Sequence, residues 1–149
     1  MLNLKLPHLD AWGQGRRERA AQYRRGFTAE GLNGLLGLPT EPWAQSGIHN
    51  HHIYNQFIIR TSRRDALKSF LTAAEIGTEI YYPLPLHLQE CFKHLGYHAG
   101  DFPEAERAAQ ETLALPIFPE LRDDQQAYVV NKISEFYKSG GLAGENRAQ

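Results

Sequence analysis

Hydrophobic residues recur at helical spacing in several stretches of the chain. The clearest helical periods cover residues 6–27, 63–74, 104–113 and 124–137. Gly13 and Gly15 interrupt the first of these, and each costs about 1 kcal/mol relative to alanine in a helix interior. A shorter helix over residues 88–95 is predicted to end at Gly96, because glycine readily adopts the backbone conformation that ends helices.

Alternation between hydrophobic and polar positions predicts strands between these helices. The first, residues 53–60, places Asn55 on the same face as Phe57 and Ile59, where a buried amide would need hydrogen-bond partners. Residues 76–82 alternate in the same way, and residues 35–38 leave room for a short strand. Strand, helix and strand from 53 to 82 form a βαβ-like unit within one sheet. We therefore predict an α+β fold in which helices cover a small, mostly antiparallel sheet.

Two prolines end the strand predicted over residues 76–82. Pro83 and Pro85 fix φ and lack a backbone N–H, so they stop the strand and stiffen the chain that follows. Two phenols and an imidazole, Tyr81, Tyr82 and His87, stand at this point and suit the binding of a polar ligand. The same pattern also fits a strand edge with a proline-stiffened loop and no ligand, so both interpretations stay open.

Composition narrows the class of protein. The chain has 149 residues, 42% of them hydrophobic and 22% charged, which suits one globular domain. We predict this domain over residues 1–138 and a disordered tail over residues 139–149. The single cysteine, Cys91, cannot form an internal disulfide and, beside Phe92, is interpreted as a buried small hydrophobe. Without a signal-peptide pattern, a cytoplasmic location is expected.

Charge and hydropathy give no reason to expect a nucleic-acid or membrane partner. The formal net charge is −1, and no apolar run approaches the roughly 18 residues of a membrane span. The first helix has an arginine-rich surface, which could bind phosphate, although a solvated helix face is the favoured interpretation. The arginines concerned are Arg16, Arg17, Arg19, Arg24 and Arg25.

The histidines and possible nucleophiles form no complete motif. His49, His51 and His52 are close in sequence, but neighbouring residues of a strand point to opposite faces, and no cysteine pair or HExxH motif accompanies them. We therefore predict no metal site. Serine-hydrolase, phosphate-loop and dinucleotide motifs do not occur either, so the residues alone indicate no catalytic group.

Four ordered segments resemble a known enzyme family. The stretch IGTEIYYPLPLHLQECFKHLGY is similar to the C-terminal part of the DegT/DnrJ/EryC1/StrS sugar aminotransferases. The resemblance covers roughly residues 2–137. It implies the small domain of a fold-type I enzyme, in a family that uses pyridoxal phosphate to aminate nucleotide-linked keto sugars. The other matching segments are KLPHLDAW, HIYNQFIIRTSRRDAL, and GDFPEAERAAQETLALPIFPEL followed by QQAYVVNKISEFY.

The resemblance also implies what this chain does not carry. The family's large N-terminal domain supplies the Schiff-base lysine, the acidic partner of the pyridine nitrogen and the glycine-rich phosphate contacts, none of which the matched segments contain. We therefore expect no catalytic residue here and no cofactor bound by the chain alone. In the family, the segment that corresponds to His52, Tyr54, Asn55 and Gln56 lies near the active site. The substrate contacts implied by the resemblance are Asn55, Tyr81, Tyr82 and His87.

Three functions remain open at this point. The chain is either a stand-alone or truncated, non-catalytic domain that binds a partner protein or a sugar nucleotide, or one part of a longer or split aminotransferase. A regulatory protein is a third alternative, supported only by the arginine-rich helix. A missing large domain would expose apolar residues at the start of the first helix and favour a homodimer, unless the helix folds back at Gly13–Gly15. The exposed residues would be Leu2, Leu4, Leu6, Leu9 and Trp12.

Overall fold

The structure of the chain, a computed structural model, describes residues 2–48 and 50–140. Five α-helices are present in these ranges: α1 (Leu2–Lys5), α2 (Leu9–Ala29), α3 (Arg64–Ala73), α4 (Pro103–Glu111) and α5 (Asp123–Gly140). The strands are β1 (Phe57–Arg60) and β2 (Thr112–Leu115), and short 3-10 helices cover Leu6–His8, Leu86–Leu88 and Glu90–Leu95.

The sheet is small and antiparallel, as predicted. In the register of β1 and β2, Phe57 lies opposite Leu115 and Arg60 lies opposite Thr112. A single bridge extends each edge: Gly37 pairs with Arg60, and Glu79 pairs with Ala114, each in antiparallel sense. The observed α+β architecture confirms the predicted fold class.

One face of the sheet forms the hydrophobic core with α2, α3 and α5. Phe57, Ile59 and Leu113 are fully buried on this face, and Tyr23 of α2 stacks on Phe57 with ring centroids 5.0 Å apart. The Tyr23 hydroxyl donates a hydrogen bond to the carbonyl of Pro116 at 2.9 Å. The helices contribute a larger set of core residues: Ala20, Phe27, Leu67, Leu71, Val129, Val130, Ile133 and Phe136.

The opposite face, which we call the open face, carries Ile58, Arg60, Thr112 and Ala114. Ile58, Arg60 and Thr112 are half-buried, whereas their sequence neighbours Phe57 and Ile59 are buried in the core. Because successive side chains of a strand point to opposite faces, one face of the sheet packs in the core and the other is available for further contacts.

The strand predictions need three corrections. The strand predicted over 53–60 begins only at Phe57, because Tyr54 has a positive φ of 44° that turns the chain before it. Instead of strands, residues 76–82 form the isolated bridge of Glu79, and residues 35–38 form the isolated bridges of Gly37 with Arg60 and of Leu36 with Asn33. The strand β2 was not predicted, since Thr112 and Leu113 were assigned to the end of a helix that in fact ends at Glu111.

The glycines of the first helix do not break it. The interruption lies instead at the 3-10 helix Leu6–His8, which contains Pro7, and α2 is continuous through Gly13 and Gly15. At Gly15 a Cβ would lie 3.1 Å from the Cβ of Pro119. This glycine therefore permits a close approach of the chain around Pro119. The fold-back at Gly13–Gly15, which was the alternative to a homodimer, is not observed, because α2 is continuous there.

Several smaller predictions can be compared with the described residues. The helix predicted over 88–95 consists of 3-10 turns, and it ends at Gly96, which has φ 75°. The helix predicted over residues 63–74 is α3, which covers Arg64–Ala73, and Cys91 is exposed instead of buried. Of the predicted tail, residues 139 and 140 belong to α5, and residues 141–149 lie outside the described ranges. No helix within residues 2–48 and 50–140 is long and apolar enough to cross a bilayer.

Candidate functional site

The open face of the sheet borders two adjacent grooves. The first, here called the histidine groove, has a volume of about 670 Å³, within the range of small-molecule sites. The second, the tyrosine groove, measures about 310 Å³ and lies toward Glu79 and Tyr81. Asn55 and Gln56 line both grooves. The histidine groove is completed by Gly37, Leu38, Pro39, His51, His52, Ile53, Ile58, Arg60 and Thr112.

Arginines of α2 hold the loop over residues 38–56 that forms one wall of the histidine groove. Arg16 Nε donates to the carbonyl of Ile53 at 2.7 Å, and Arg17 Nη1 donates to Asn50 Oδ1 at 2.7 Å. Arg24 donates to the carbonyl of Pro39. The favoured interpretation of a solvated arginine face is therefore wrong for these three side chains, which bind the protein's own loop.

Glu41 is the polar centre of this loop. Its carboxylate accepts hydrogen bonds from the Tyr54 hydroxyl and from His51 Nε2, the latter at 3.0 Å, and Arg24 Nη2 lies 3.4 Å away. Burial alone would raise the pKa of Glu41, but the hydrogen bonds from Tyr54 and His51 and the charge of Arg24 outweigh it and lower the pKa. Burial and the bond to Glu41 raise the pKa of the Tyr54 phenol.

The backbone at Tyr54 directs neighbouring side chains to opposite sides. With φ at 44°, an uncommon value for a tyrosine, the residue places its ring in the core, 6.0 Å from the ring of Phe57. Asn55 then points outward and is exposed. The predicted burial of Asn55 among apolar residues is therefore wrong, and its amide is available to the grooves.

His52 is fixed by its neighbour two residues along the chain. Its ring lies against the ring of Tyr54, with centroids 4.0 Å apart, and its Nδ1 accepts a hydrogen bond from the Tyr54 backbone N–H at 3.0 Å. Since Nδ1 is the acceptor, the proton of a neutral imidazole resides on Nε2.

The structure brings only some of the predicted site residues together. Asn55 and Tyr81 share the tyrosine groove, whereas Tyr82 lines another groove of about 330 Å³ beside α4, which shares Ile58 and Thr112 with the histidine groove. His87 lies in a fourth cavity, of about 430 Å³, with Phe102 and other apolar side chains. The His87 side chain is almost fully buried, and its Nε2 lies 3.1 Å from Glu106 Oε1. The role of these residues in ligand binding stays a prediction.

Two residues of the histidine groove and its supporting loop were not identified from the sequence. Arg60 ends β1 and pairs with Glu111 at 3.0 Å across the end of the sheet. Glu41 has partners at 10, 13 and 17 residues' separation, so no local spacing indicates its role. The only sequence signal for Arg60 is its place at the end of the apolar run Phe57–Ile59.

Comparison with known proteins places the chain in a family. The profile of the DegT/DnrJ/EryC1/StrS aminotransferase family matches residues 1–134. The chain belongs to this family. A pleiotropic regulatory protein of Geobacillus stearothermophilus is 48% identical over 93% of the chain. The UDP-N-acetyl-3-dehydro-alpha-D-glucosamine 3-aminotransferase of Acidithiobacillus ferrooxidans is 42% identical over 89% of it.

Solved structures of DegT/DnrJ/EryC1/StrS aminotransferases share the fold. DesV of Streptomyces venezuelae, solved in complex with a ketimine intermediate, superimposes with a TM-score of 0.78 at 36% identity over 91% of this chain. A family member from Brucella abortus gives a TM-score of 0.76 at 30% identity, again over 91% of the chain. The chain spans about a third of these proteins: 36% of the Geobacillus protein, 33% of the Acidithiobacillus enzyme and 34% of each solved chain.

The lysines of this family member do not fit covalent attachment of pyridoxal phosphate. Schiff-base formation needs a lysine that is desolvated or otherwise has a depressed pKa. Lys132 and Lys138 instead pair with Glu135 and Glu30 at 2.7 and 2.8 Å, and Lys68 donates to the Thr78 carbonyl. None of the five lysines lines the histidine or tyrosine groove, the other two being Lys5 and Lys93.

No group of three or more histidine, cysteine, aspartate or glutamate side chains is placed to hold a metal among the described residues. His51 is bound to Glu41, His52 caps the Tyr54 N–H, and His49 lies outside the described ranges. The arrangement of the described groove residues therefore supports hydrogen bonding to a ligand, with imidazole, amide and guanidinium groups, and not metal coordination.

Acid is expected to weaken the loop over residues 38–56 through Glu41. Because the pKa of Glu41 is lower in the folded state, its stabilising effect is complete above its unfolded pKa and is lost as the pH falls through the folded pKa. Glu41→Gln should therefore be less stable than the wild type at neutral pH, and the gap should narrow as the pH falls below 4.5, the ordinary value for a glutamate. Urea unfolding across this pH range measures the difference.

The control is Glu120→Gln, since Glu120 is exposed and lies outside the loop. Its unfolding free energy should follow that of the wild type at every pH. Parallel curves for Glu41→Gln and the wild type would contradict a stabilising role of the ionised Glu41.

Proposed function

We propose that this chain forms one wall of a nucleotide-sugar site in an aminotransferase and catalyses no transamination alone. The observation that carries this proposal is the histidine groove, in which imidazole, amide and guanidinium groups line a cavity of about 670 Å³ on the open face of the sheet. The substrates named for the Acidithiobacillus enzyme and for a 35% identical Streptomyces venezuelae transaminase, a UDP-linked and a dTDP-linked sugar, support this choice of ligand.

The groove matches the chemistry of such a ligand. The amides of Asn55 and Gln56 each offer donors and acceptors, which suit sugar hydroxyls. Arg60 offers a guanidinium for phosphate oxygens, and its pairing with Glu111 fixes its position while leaving it partly exposed. Leu38, Pro39 and Ile58 supply apolar surface between these groups. A polar ligand with an apolar ring face would use both kinds of contact.

The chemical step requires groups from elsewhere. Pyridoxal phosphate supplies the electron sink for transamination when it is bound, and the lysines of this chain do not fit its attachment. We place the cofactor on a large domain, carried either by the same or by another polypeptide, and the part played by this chain is to position the substrate. A cytoplasmic location suits a chain whose one cysteine, Cys91, is exposed and unpaired.

A titration of the chain with UDP-N-acetylglucosamine tests the proposed site. We expect millimolar binding, since only one wall is present, with NMR shifts of the Asn55 and Gln56 side-chain amides. Asn55→Ala combined with Gln56→Ala should reduce affinity about tenfold or more, because two hydrogen-bonding groups are lost. Ser69→Ala, at an exposed position of α3, serves as the control. Shifts confined to residues outside both grooves, or the absence of shifts, would contradict the proposed site.

Reconstitution tests the division of labour. The part of the Acidithiobacillus enzyme that this chain does not match is mixed with the chain, pyridoxal phosphate, an amino donor and the UDP-linked keto sugar. We expect product only from the mixture, and less product with the Asn55→Ala and Gln56→Ala double variant although the complex still forms. Product formation by this chain alone would refute a purely substrate-positioning role.

Self-association through the N-terminal helices is a further expectation. Leu4, Leu6 and Leu9, here called the apolar ridge, are 77%, 65% and 50% exposed. All three were expected from the sequence to be exposed, whereas Trp12 is half-buried. Burial of a few hundred Å² at about 25 cal/mol per Å² would favour a two-fold dimer. Light scattering over a concentration series should show a dimer mass that Leu6→Glu with Leu9→Glu reduces to a monomer.

Ala11→Glu, at an exposed position near the ridge, is the matched control for added charge. A monomer mass at every concentration of the wild type would exclude the dimer. The expected dimer is independent of the sugar-nucleotide site, because the ridge lies outside both grooves.

A regulatory function is the second candidate, because the 48% identical Geobacillus protein is named a pleiotropic regulatory protein. Direct binding of nucleic acid by the arginine-rich helix would be the simplest physical basis for it. Arg16, Arg17 and Arg24 are engaged with the loop over residues 38–56, and Arg19 is paired with Asp123. These contacts favour a structural role for the helix, so we prefer the nucleotide-sugar site.

A further inference from the structure

His52 is held in one tautomer by the backbone. Its Nδ1 accepts the Tyr54 N–H at 3.0 Å, so the neutral ring carries its proton on Nε2. The ring is also held against the Tyr54 side chain at 4.0 Å between centroids. Tyr54 is itself fixed, because it is 1% exposed and its hydroxyl binds Glu41 and Arg24.

The free nitrogen of His52 belongs to the histidine groove. His52 is half-buried and lines this groove, and its Nε2 makes no hydrogen bond with any described residue. The neighbouring His51 differs, since its Nε2 is bound to Glu41 at 3.0 Å. Of these two adjacent histidines, one therefore holds the loop and the other keeps an N–H donor for a ligand.

We propose that His52 is a fixed hydrogen-bond donor to an oxygen of the bound nucleotide sugar. This inference rests on the proposed nucleotide-sugar site and names one contact within it. A neutral N–H in a fixed orientation binds acceptor oxygens of a hydroxyl, a carbonyl or a phosphate, and it disfavours a ligand group that can only donate, such as an ammonium. His52 would thus favour ligands that present an acceptor oxygen to its N–H, while Arg60 contributes a positive charge to the site.

Two substitutions separate the two nitrogens of the ring. His52→Asn retains an acceptor for the Tyr54 N–H, because an asparagine side chain readily binds the backbone two residues on, but it lacks the distal donor. His52→Gln retains a distal N–H and loses this local acceptor geometry. We expect His52→Asn to keep the wild-type urea midpoint and to bind UDP-N-acetylglucosamine about tenfold more weakly. We expect His52→Gln to lower the midpoint and to weaken binding less.

The tautomer is measured directly by long-range proton–nitrogen NMR of the histidine rings, without a ligand. We expect the Nε2–H form at His52, and its Nε2 signal should shift on addition of UDP-N-acetylglucosamine. A shift produced equally by UDP alone would assign the acceptor to a phosphate oxygen, and a shift that requires the sugar would assign it to a sugar oxygen. His98→Asn, at an exposed site outside the groove, is the control that should bind like the wild type.

The outcomes distinguish this inference from the proposed function. An Nδ1–H tautomer at His52, or equal affinity of His52→Asn and the wild type, overturns the donor role and leaves the nucleotide-sugar site standing. Absence of binding by the wild type at all ligand concentrations overturns the site itself and the contact with it. Weaker binding by His52→Asn at an unchanged urea midpoint supports both.

Discussion

Replacing Phe57 by alanine is expected to lower the free energy of unfolding by about 3–5 kcal/mol, the usual cost of truncating a buried aromatic residue. Phe57 is fully buried, lies opposite Leu115 in the sheet, and its ring is 5.0 Å from that of Tyr23 and 6.0 Å from that of Tyr54. The lost ring would leave a cavity between the sheet and α2. Urea or thermal unfolding followed by circular dichroism measures the change.

The matched control for this substitution is Ile58→Ala, the next residue of the same strand. Ile58 is half-buried on the open face, so its truncation should cost about 1 kcal/mol or less. An equal loss for Phe57→Ala and Ile58→Ala would mean that both faces of the sheet are packed alike. That result would contradict the assignment of the second face to ligand contacts.

Elements with strong local signals were predicted well from the sequence. The spacing of Leu67 and Leu71 predicts α3, and the spacing of Val129, Ile133 and Phe136 predicts α5. All five residues are buried, as expected. The turn at Gly96 also follows from its residue type, since it requires the positive φ that glycine adopts most easily. In these segments, local preference and tertiary packing favour the same conformation.

The sheet was predicted less well because its short strands depend on pairing partners far away in the chain. Thr112–Leu115 follows α4 without a glycine or proline, and its threonine, leucines and alanine also continue a helical pattern. Pairing with Phe57–Arg60, about 55 residues earlier, determines its extended conformation. Residues 76–82 are the opposite case, because they have the alternating pattern of a strand but do not form one. Among the described residues, Glu79 alone of this segment pairs with the sheet, at Ala114, and Pro83 follows the segment directly.

The candidate site shows the same dependence on distant contacts. The sequence analysis named Asn55 as a candidate site residue but predicted it to be buried, because strand alternation was extended through Tyr54, whereas Asn55 is exposed. Nothing in the residue type of Tyr54 indicates a φ of 44°. That conformation is accompanied by hydrogen bonds from Tyr54 to Glu41 and from Arg24 to Tyr54, over 13 and 30 residues, which no spacing rule anticipates.

Replacing Arg64 by methionine is expected to destabilise the fold by about 2–4 kcal/mol, because the substitution leaves two carbonyl groups without their donor. Arg64 begins α3 and is 8% exposed, and its Nη1 donates to the carbonyls of Ala109 and Thr112 at 3.0 and 3.1 Å. Methionine preserves the apolar stem of the side chain, so that the change in unfolding free energy reports the lost hydrogen bonds and charge.

Arg107→Met is the control for Arg64→Met, since Arg107 is exposed and pairs with the exposed Glu104, a kind of pair that contributes little. Arg64→Lys should recover part of the stability by retaining one charged donor. Equal stability of Arg64→Met and the wild type would show that the two carbonyls find other partners.

If the expected loss is observed, a single guanidinium joins α3 to the point where α4 becomes β2. Thr112, which that guanidinium binds through its carbonyl, also lines the histidine groove, so the same substitution should weaken sugar-nucleotide binding without touching the ligand.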